Sequence, residues 1–244
     1  MEDIEDQTRR FAADLTSTVR AVCHDAPEFQ VDIADRKGRF NAMVRTENGC
    51  AIPLTIGGVH LLDLLVTYQC IMSDHHACMA IEQSRFHLRP HGGGEMLVRL
   101  EYIRRPRSGI PCSHLQIHAH RDAWTFLMCR NGEGSGRRAV NRRSTVEKTP
   151  QISDIHFPVG GPRLRPTLED FLEMLIHDLG IDHPDGALDA LADARASWRR
   201  GQARAIIGAD PETAAQVLRD AGWKVAPPED RLPPERPPHW LARY

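Results

Sequence analysis

The strongest constraint on the fold of this chain is a period-two alternation of apolar and polar residues, which recurs between residues 29 and 119. It runs first through 29–33, 40–44 and 52–56, and turn-forming residues separate these three segments. Successive side chains of a β-strand point to opposite faces, so the alternation predicts strands with one apolar and one polar face. The short turns between the segments predict a three-stranded meander.

Further strands are predicted along the chain. The stretch from Leu61 to Met72 could be a buried helix or a buried strand, and the alternation in its second half favours a strand. Residues 79–88 are predicted to return as the next strand. Another strand is expected at 124–129 and a short one at 152–157.

The clearest hairpin joins residues 96–102 to residues 115–119. Its apolar residues coincide on one face if Tyr102 lies opposite Leu115, since Leu100 then faces Ile117. A stable hairpin requires this coincidence of apolar side chains on the buried face.

Helices are predicted before and after the strands. Residues 3–24 carry an amphipathic stripe, and residues 167–179 carry a continuous apolar stripe that starts at the good N-cap Thr167. An alanine- and arginine-rich segment at 187–206 and a segment beginning at Asp210-Pro211 predict a C-terminal helical pair.

The predicted fold class is therefore α+β. A bent antiparallel meander sheet of six to eight strands would be packed by helices 3–24 and 167–179, with the C-terminal helical pair attached. We expect the sheet domain to span 1–183, a helical appendage 184–225, and a proline-rich C-terminal arm 226–244.

Composition narrows the functional classes. The chain has 244 residues and a net charge of −2, which excludes a wholesale polyanion binder but leaves room for a local basic patch. No run of 18 apolar residues occurs, the N-terminus is acidic, and the six cysteines are scattered without a C-x-x-C pair. We therefore expect a cytoplasmic protein with reduced thiols and no membrane partner.

The best candidate site is the polar side of the clear hairpin. This side would carry His114, Gln116, His118 and His120 beside Arg99 and Glu101. Arg99 would lie opposite His118, and Glu101 opposite Gln116. Imidazoles beside a guanidinium and a carboxylate can perform acid–base catalysis or hold an anion. The alternative is that this side is simply solvated, as one side of an antiparallel sheet often is.

A second candidate lies before the helix at 167–179. His156 precedes a Gly-Gly turn, and Arg163 and Arg165 follow it, an arrangement that suits an anionic group. The alternative is that the glycines only shape the loop that connects the preceding strand to this helix. Zinc bound by His118, His120 and His156 is the less favoured alternative, since such spacing is easily met by chance, and no cofactor is predicted.

Two functional hypotheses follow. The first is an enzyme, such as a hydrolase, acting on a phosphate-bearing substrate, RNA or a nucleotide, with His118, His120 and His156 as catalytic groups. The second is a non-catalytic regulatory module that binds nucleic acid through the basic loop 130–148, or a protein through the C-terminal arm. The cations of the loop are Arg130, Arg137, Arg138, Arg142, Arg143 and Lys148, and Arg137, Arg138, Arg142 and Arg143 are the predicted phosphate contacts.

Overall fold

The computed structural model describes most of the chain. The described residues are 3–35, 40–73, 79–106, 110–119, 152–154, 157–159 and 165–226. Three predictions lie outside these residues, namely the strand at 124–129, the basic loop 130–148 and all but the first residue of the C-terminal arm.

Eight strands within the described residues form one antiparallel sheet, in the order β1-β2-β4-β5-β6-β7-β8 with β3 beside β4. The strands are β1 (Phe29–Asp35), β2 (Phe40–Thr46), β3 (Ile52–Ile56), β4 (Val59–Met72), β5 (Met79–Pro90), β6 (Val98–Ile103), β7 (Ser113–Ile117) and β8 (Phe157–Pro158). The predicted α+β class with six to eight antiparallel strands is confirmed.

Strand β4 is the longest element of the sheet, with 14 residues. Its C-terminal half pairs with β2 and its N-terminal half with β3, so β2 and β3 lie end to end along the same edge of β4. The prediction of a meander through the first three strands is therefore wrong for β3, which pairs with β4 and not with β2. A two-residue turn, Gly57-Gly58, joins β3 directly to β4 and fixes this pairing.

The stretch from Leu61 to Met72, for which the sequence allowed a helix or a strand, is strand throughout. Val66, Tyr68 and Cys70 of β4 are buried, as the alternation predicts. Within the described residues, the short strand expected at 152–157 is wrong for Ile152–Asp154, which forms a 3-10 turn, whereas Phe157 is strand and forms β8 with Pro158.

The hairpin of β6 and β7 keeps the predicted faces but not the predicted register. Tyr102 lies opposite Ser113, and Leu100 lies opposite Leu115, so the pairing is displaced by two residues. A two-residue displacement leaves every side chain on the same face, because the side-chain period of a strand is two. The apolar faces therefore coincide in either register, and the sequence pattern alone does not separate them.

Four α-helices are described: α1 (Ile4–Arg20), α2 (Leu168–Met174), α3 (Ala187–Ala209) and α4 (Pro211–Asp220). Thr167 and Asp170 form a capping box at the start of α2, and a π-helical turn, Leu175–Leu179, extends the helix to Gly180. The helices expected at 3–24 and 167–179 and the C-terminal pair are confirmed.

The core lies between one face of the sheet and the helices. Phe11 of α1 meets Tyr68 of β4 edge to face with ring centroids 5.0 Å apart, and Phe171 of α2 lies 6.1 Å from Phe86 of β5. Leu191 of α3 is fully buried in the same apolar cluster. None of the described helices is both long and apolar enough to cross a membrane.

Candidate functional site

The sheet face opposite the core carries a row of histidines, carboxylates and arginines on β4–β7, which we call the histidine face. Neighbouring side chains on this face are set by the pairings of β4 with β5, β5 with β6, and β6 with β7. Its polar residues are His60, Asp63, Arg85, His87, Arg89, His91, Arg99, Glu101, His114, Gln116 and His118.

Glu101 lies at the centre of the histidine face, between two imidazoles. Nε2 of His87 is 2.6 Å from Oε1 of Glu101, and Nε2 of His114 is 3.5 Å from Oε2. Nδ1 of His114 lies 3.0 Å from the carbonyl oxygen of Pro111. Because a carbonyl only accepts, Nδ1 of His114 carries a proton, and its ring is held with Nε2 towards Glu101.

The surroundings of Glu101 lower its pKa. Burial is the largest single influence and raises the pKa, but the hydrogen bonds from His114 and His87, together with their positive charge, outweigh it. The Glu101 carboxyl is therefore ionised near neutral pH and holds both imidazoles in fixed orientations.

Arg99 and His118 each present a buried nitrogen that lacks a hydrogen-bond partner in the described part of the chain. These atoms are Nε of Arg99 and Nε2 of His118. A third such nitrogen of the histidine face, Nε of Arg89, lies at ion-pair distance, 3.5 Å, from Oδ2 of Asp63. Arg99 pairs with Gln116, and the amide of His118 donates to the carbonyl of Leu97 at 2.9 Å, so the two residues are diagonal neighbours. Buried polar atoms are normally paired, so these two neighbouring unpaired nitrogens point to a ligand group.

The His118 ring is oriented by a carboxylate. Its Nδ1 lies 3.2 Å from Oε1 of Glu95, whose side chain is 69% exposed, whereas the His118 side chain is only 9% exposed. A proton on Nδ1 that is donated to Glu95 leaves a lone pair on Nε2, the arrangement of a general base.

A second group lies at the other end of the histidine face. Oδ1 of Asp63 is 2.8 Å from Nε2 of His60 and 3.3 Å from Nδ1 of His91. Burial raises the pKa of Asp63, but hydrogen bonds from His91 and His60 outweigh it, and the net pKa is lowered.

The structure brings together some of the residues predicted from the sequence. Arg99, Glu101 and His118 share the histidine face, as predicted, but with the two-residue displacement Glu101 lies opposite His114 and not opposite Gln116. Arg165 lies elsewhere, since its guanidinium carbon is 3.9 Å from the centroid of the core-facing Tyr102 ring. The remaining predicted site residues lie outside the described residues: His120, Arg137, Arg138, Arg142, Arg143, His156 and Arg163.

Sequence reasoning missed six residues of the histidine face: His60, Asp63, Arg85, His87, Arg89 and His91. His87 had a usable signal, because alternation along the strand predicted at 79–88 places it on the polar side. His60 had no such signal, because a β-bulge reverses the alternation between His60 and Asp63. His91 lies beyond the predicted end of its strand.

The chemistry available on this face combines acid–base groups with cations. His118 with Glu95 can move a proton, and Arg99 can neutralise an anion.

Comparison with protein-family models, with curated proteins and with solved structures found no match to this chain.

Proposed function

We propose that the protein is an enzyme that binds a phosphate-bearing substrate, a nucleotide or RNA, on the histidine face and cleaves its phosphate ester by acid–base catalysis. The observation that carries this proposal is the pair of neighbouring buried nitrogens, Arg99 Nε and His118 Nε2, that have no partner in the described part of the chain.

Arg99 would hold the phosphate. A guanidinium donates charge-assisted hydrogen bonds to phosphate oxygens, and such bonds are stronger than neutral ones. Arg85 and Arg89 also lie on this face, but Arg85 lies opposite Glu101 and Arg89 contacts Asp63, so neighbouring carboxylates offset their charges.

His118 would move the proton. Its Nε2 accepts a proton from a water molecule as the water oxygen attacks phosphorus, the ester P–O bond breaks, and the leaving oxygen takes a proton from solvent. Glu95 stabilises the imidazolium that forms, because its carboxylate lies beside Nδ1.

The test compares Arg99→Ala and His118→Asn with wild type. Calorimetric titration with adenosine 5′-monophosphate should show about 10- to 100-fold weaker binding for Arg99→Ala, because a hydrogen bond to a charged group contributes about 1.5–3 kcal/mol. Hydrolysis of bis(p-nitrophenyl) phosphate by His118→Asn should fall at least about 100-fold, while binding changes little.

Matched controls are Arg85→Ala and His24→Asn, which alter exposed residues of the same types. The proposal is rejected if wild type binds no phosphate compound, or if Arg99→Ala and Arg85→Ala bind equally well. Binding without hydrolysis would reject the enzyme and favour the regulatory module, whose basic loop remains a prediction from sequence.

A further inference from the structure

We propose that His60, Asp63 and His91 form a binding site for a divalent first-row transition-metal ion, such as zinc. Each of the three residues offers one ligand atom, and these atoms lie within 4.8 Å of one another. Nε2 of His60 and Nδ1 of His91 both lie against Oδ1 of Asp63. This inference does not rest on the proposed function, because the Arg99–His118 pair lies on other strands of the face.

The spacing of the ligand atoms suits one ion. Metal–ligand bonds of about 2.1 Å place neighbouring ligand atoms about 3.0 Å apart in an octahedron and about 3.4 Å apart in a tetrahedron. The observed distances to Oδ1 of Asp63 are 2.8 Å from His60 and 3.3 Å from His91. Both imidazoles therefore present a nitrogen to the same oxygen, and their rings stack with centroids 3.6 Å apart.

The backbone positions all three residues. Leu54 pairs with Leu62 and Thr55 with His60, which leaves Leu61 without a partner on β3, as a β-bulge. The bulge turns His60 to the same side as Asp63, which strict alternation would not do. The amide of His91 donates to the carbonyl of Leu61 at 2.8 Å, so the ladder of β4 and β5 extends to His91.

The group is open on one side. The Asp63 side chain is 10% exposed, whereas His60 and His91 are 33% and 51% exposed. A solvent path therefore reaches the ligand atoms, and three protein ligands leave at least one coordination position for water. Catalytic zinc sites have this composition, whereas structural sites use four protein ligands.

The donor set favours transition metals. Two imidazoles and one carboxylate suit zinc, iron, cobalt or manganese better than magnesium or calcium, which prefer oxygen ligands only. Both histidine contacts are made to Oδ1 of Asp63, and Nε of Arg89 lies 3.5 Å from the other oxygen, Oδ2, at ion-pair distance. The guanidinium cation therefore lies beside Oδ2, and Oδ1 is the oxygen that an ion would share with both imidazoles.

The experiment is a calorimetric titration of chelator-treated full-length protein with zinc sulfate. We expect one ion per chain at this site, and His60→Ala and His91→Ala should weaken its binding more than about 10-fold, since even a partner of a ligand is worth that much. The matched control is His24→Ala, which removes an exposed histidine from another surface and should bind as wild type does.

The inference is overturned if wild type binds no zinc at about 10 μM, a weak affinity for a protein zinc site, or if His60→Ala and His91→Ala bind as wild type does. If either variant fails to fold, the imidazole NMR signals of wild type are followed during zinc titration instead. Zinc-induced shifts at other histidines, with none at His60 and His91, would also overturn the inference. Phosphate binding lost in Arg99→Ala with unchanged zinc affinity separates this site from the proposed substrate site.

Discussion

Glu101 determines how the centre of the histidine face is arranged, because one carboxylate orients two imidazoles. Its side chain is 16% exposed, and its partners His87 and His114 come from the strands on either side. Three neighbouring strands are therefore cross-linked by one group whose charge depends on pH.

Replacing this carboxylate should change the pH dependence of stability. The folded-state pKa of Glu101 is lowered, so its stabilisation is fully present above the ordinary glutamate pKa of about 4.3 and is lost as pH falls below it. Glu101→Gln should reduce the free energy of unfolding by about 1–3 kcal/mol at pH 7 and flatten its decline at acidic pH. Urea unfolding at pH 7 and at about pH 3.5 measures both effects.

The control for this variant is Glu28→Gln, which alters an exposed carboxylate. It should leave the curve of unfolding free energy against pH unchanged. Equal behaviour of the two variants would show that Glu101 does not hold the imidazoles through its charge.

At the residue scale, the sequence predicted which side chains share a face but not which ones touch. Alternation alone placed Arg99, Glu101 and His118 together, and this placement is confirmed. The contact between Glu101 and His114 depends on register, and two registers satisfy the same apolar pattern. The contact of His87 with Glu101 depends on pairing between strands, which no local pattern encodes.

At the scale of elements, two bulges in the pairings of β4 limit what alternation can predict. One lies at Leu61, opposite β3, and the other at Glu82 of β5, where Gln69 pairs with Gln83 and Cys70 with Ile81. Each bulge reverses the phase of the strand beyond it. Ile81 is therefore buried, and His60 lies beside Asp63, although strict alternation predicts the opposite for both.

The turn between β3 and β4 is the second feature at this scale. Gly57 and Gly58 have φ values of 59° and 78°, the left-handed region that a two-residue hairpin turn requires at both positions. Asp182 accepts hydrogen bonds from both glycine amides, at 2.9 and 2.7 Å, and so ties the end of the α2 segment to this turn.

Alanine substitution at two glycines should have opposite effects. Gly58→Ala should destabilise the fold by about 1–2 kcal/mol, because an alanine Cβ disfavours positive φ. Gly201→Ala, in the interior of α3, should stabilise it by up to about 1 kcal/mol, because alanine is the better helix former.

An added Cβ meets no atom within 4 Å at Gly58 or at Gly201, so packing does not disturb the comparison of these two variants. Thermal unfolding of both measures the difference. The same sign of change for the two variants would contradict the assignment of the turn.

At the scale of the whole molecule, α3 packs into the same apolar core as the sheet and α2. Ala187 and Leu191 are buried with Leu168 and Leu172 of α2. The Arg195 side chain of α3 contacts Asp170 and Glu173 of α2. The predicted domain boundary at 183/184 remains a prediction, but these contacts make the two parts depend on each other.

Leu191→Ala tests this dependence. It should lower the free energy of unfolding by about 2–5 kcal/mol in one cooperative transition, as expected for a leucine in a shared core. Leu188→Ala is the control, because Leu188 is 36% exposed in the same helix turn and should cost less. Two separate unfolding transitions in wild type would show that residues 184–225 fold independently.

The end-to-end placement of β2 and β3 along β4 has a consequence for the order in which the protein assembles. Between Phe29 and Pro90 the paired residues are at most 30 positions apart in sequence, as Asn41 and Ile71 are, whereas Leu115 and Phe157 are 42 positions apart. Closing the shorter loops costs less entropy. We therefore expect strands β1 to β5 to pair early in folding. His60 and Asp63 would then meet the end of β5 before the more distant β8 segment docks on β7.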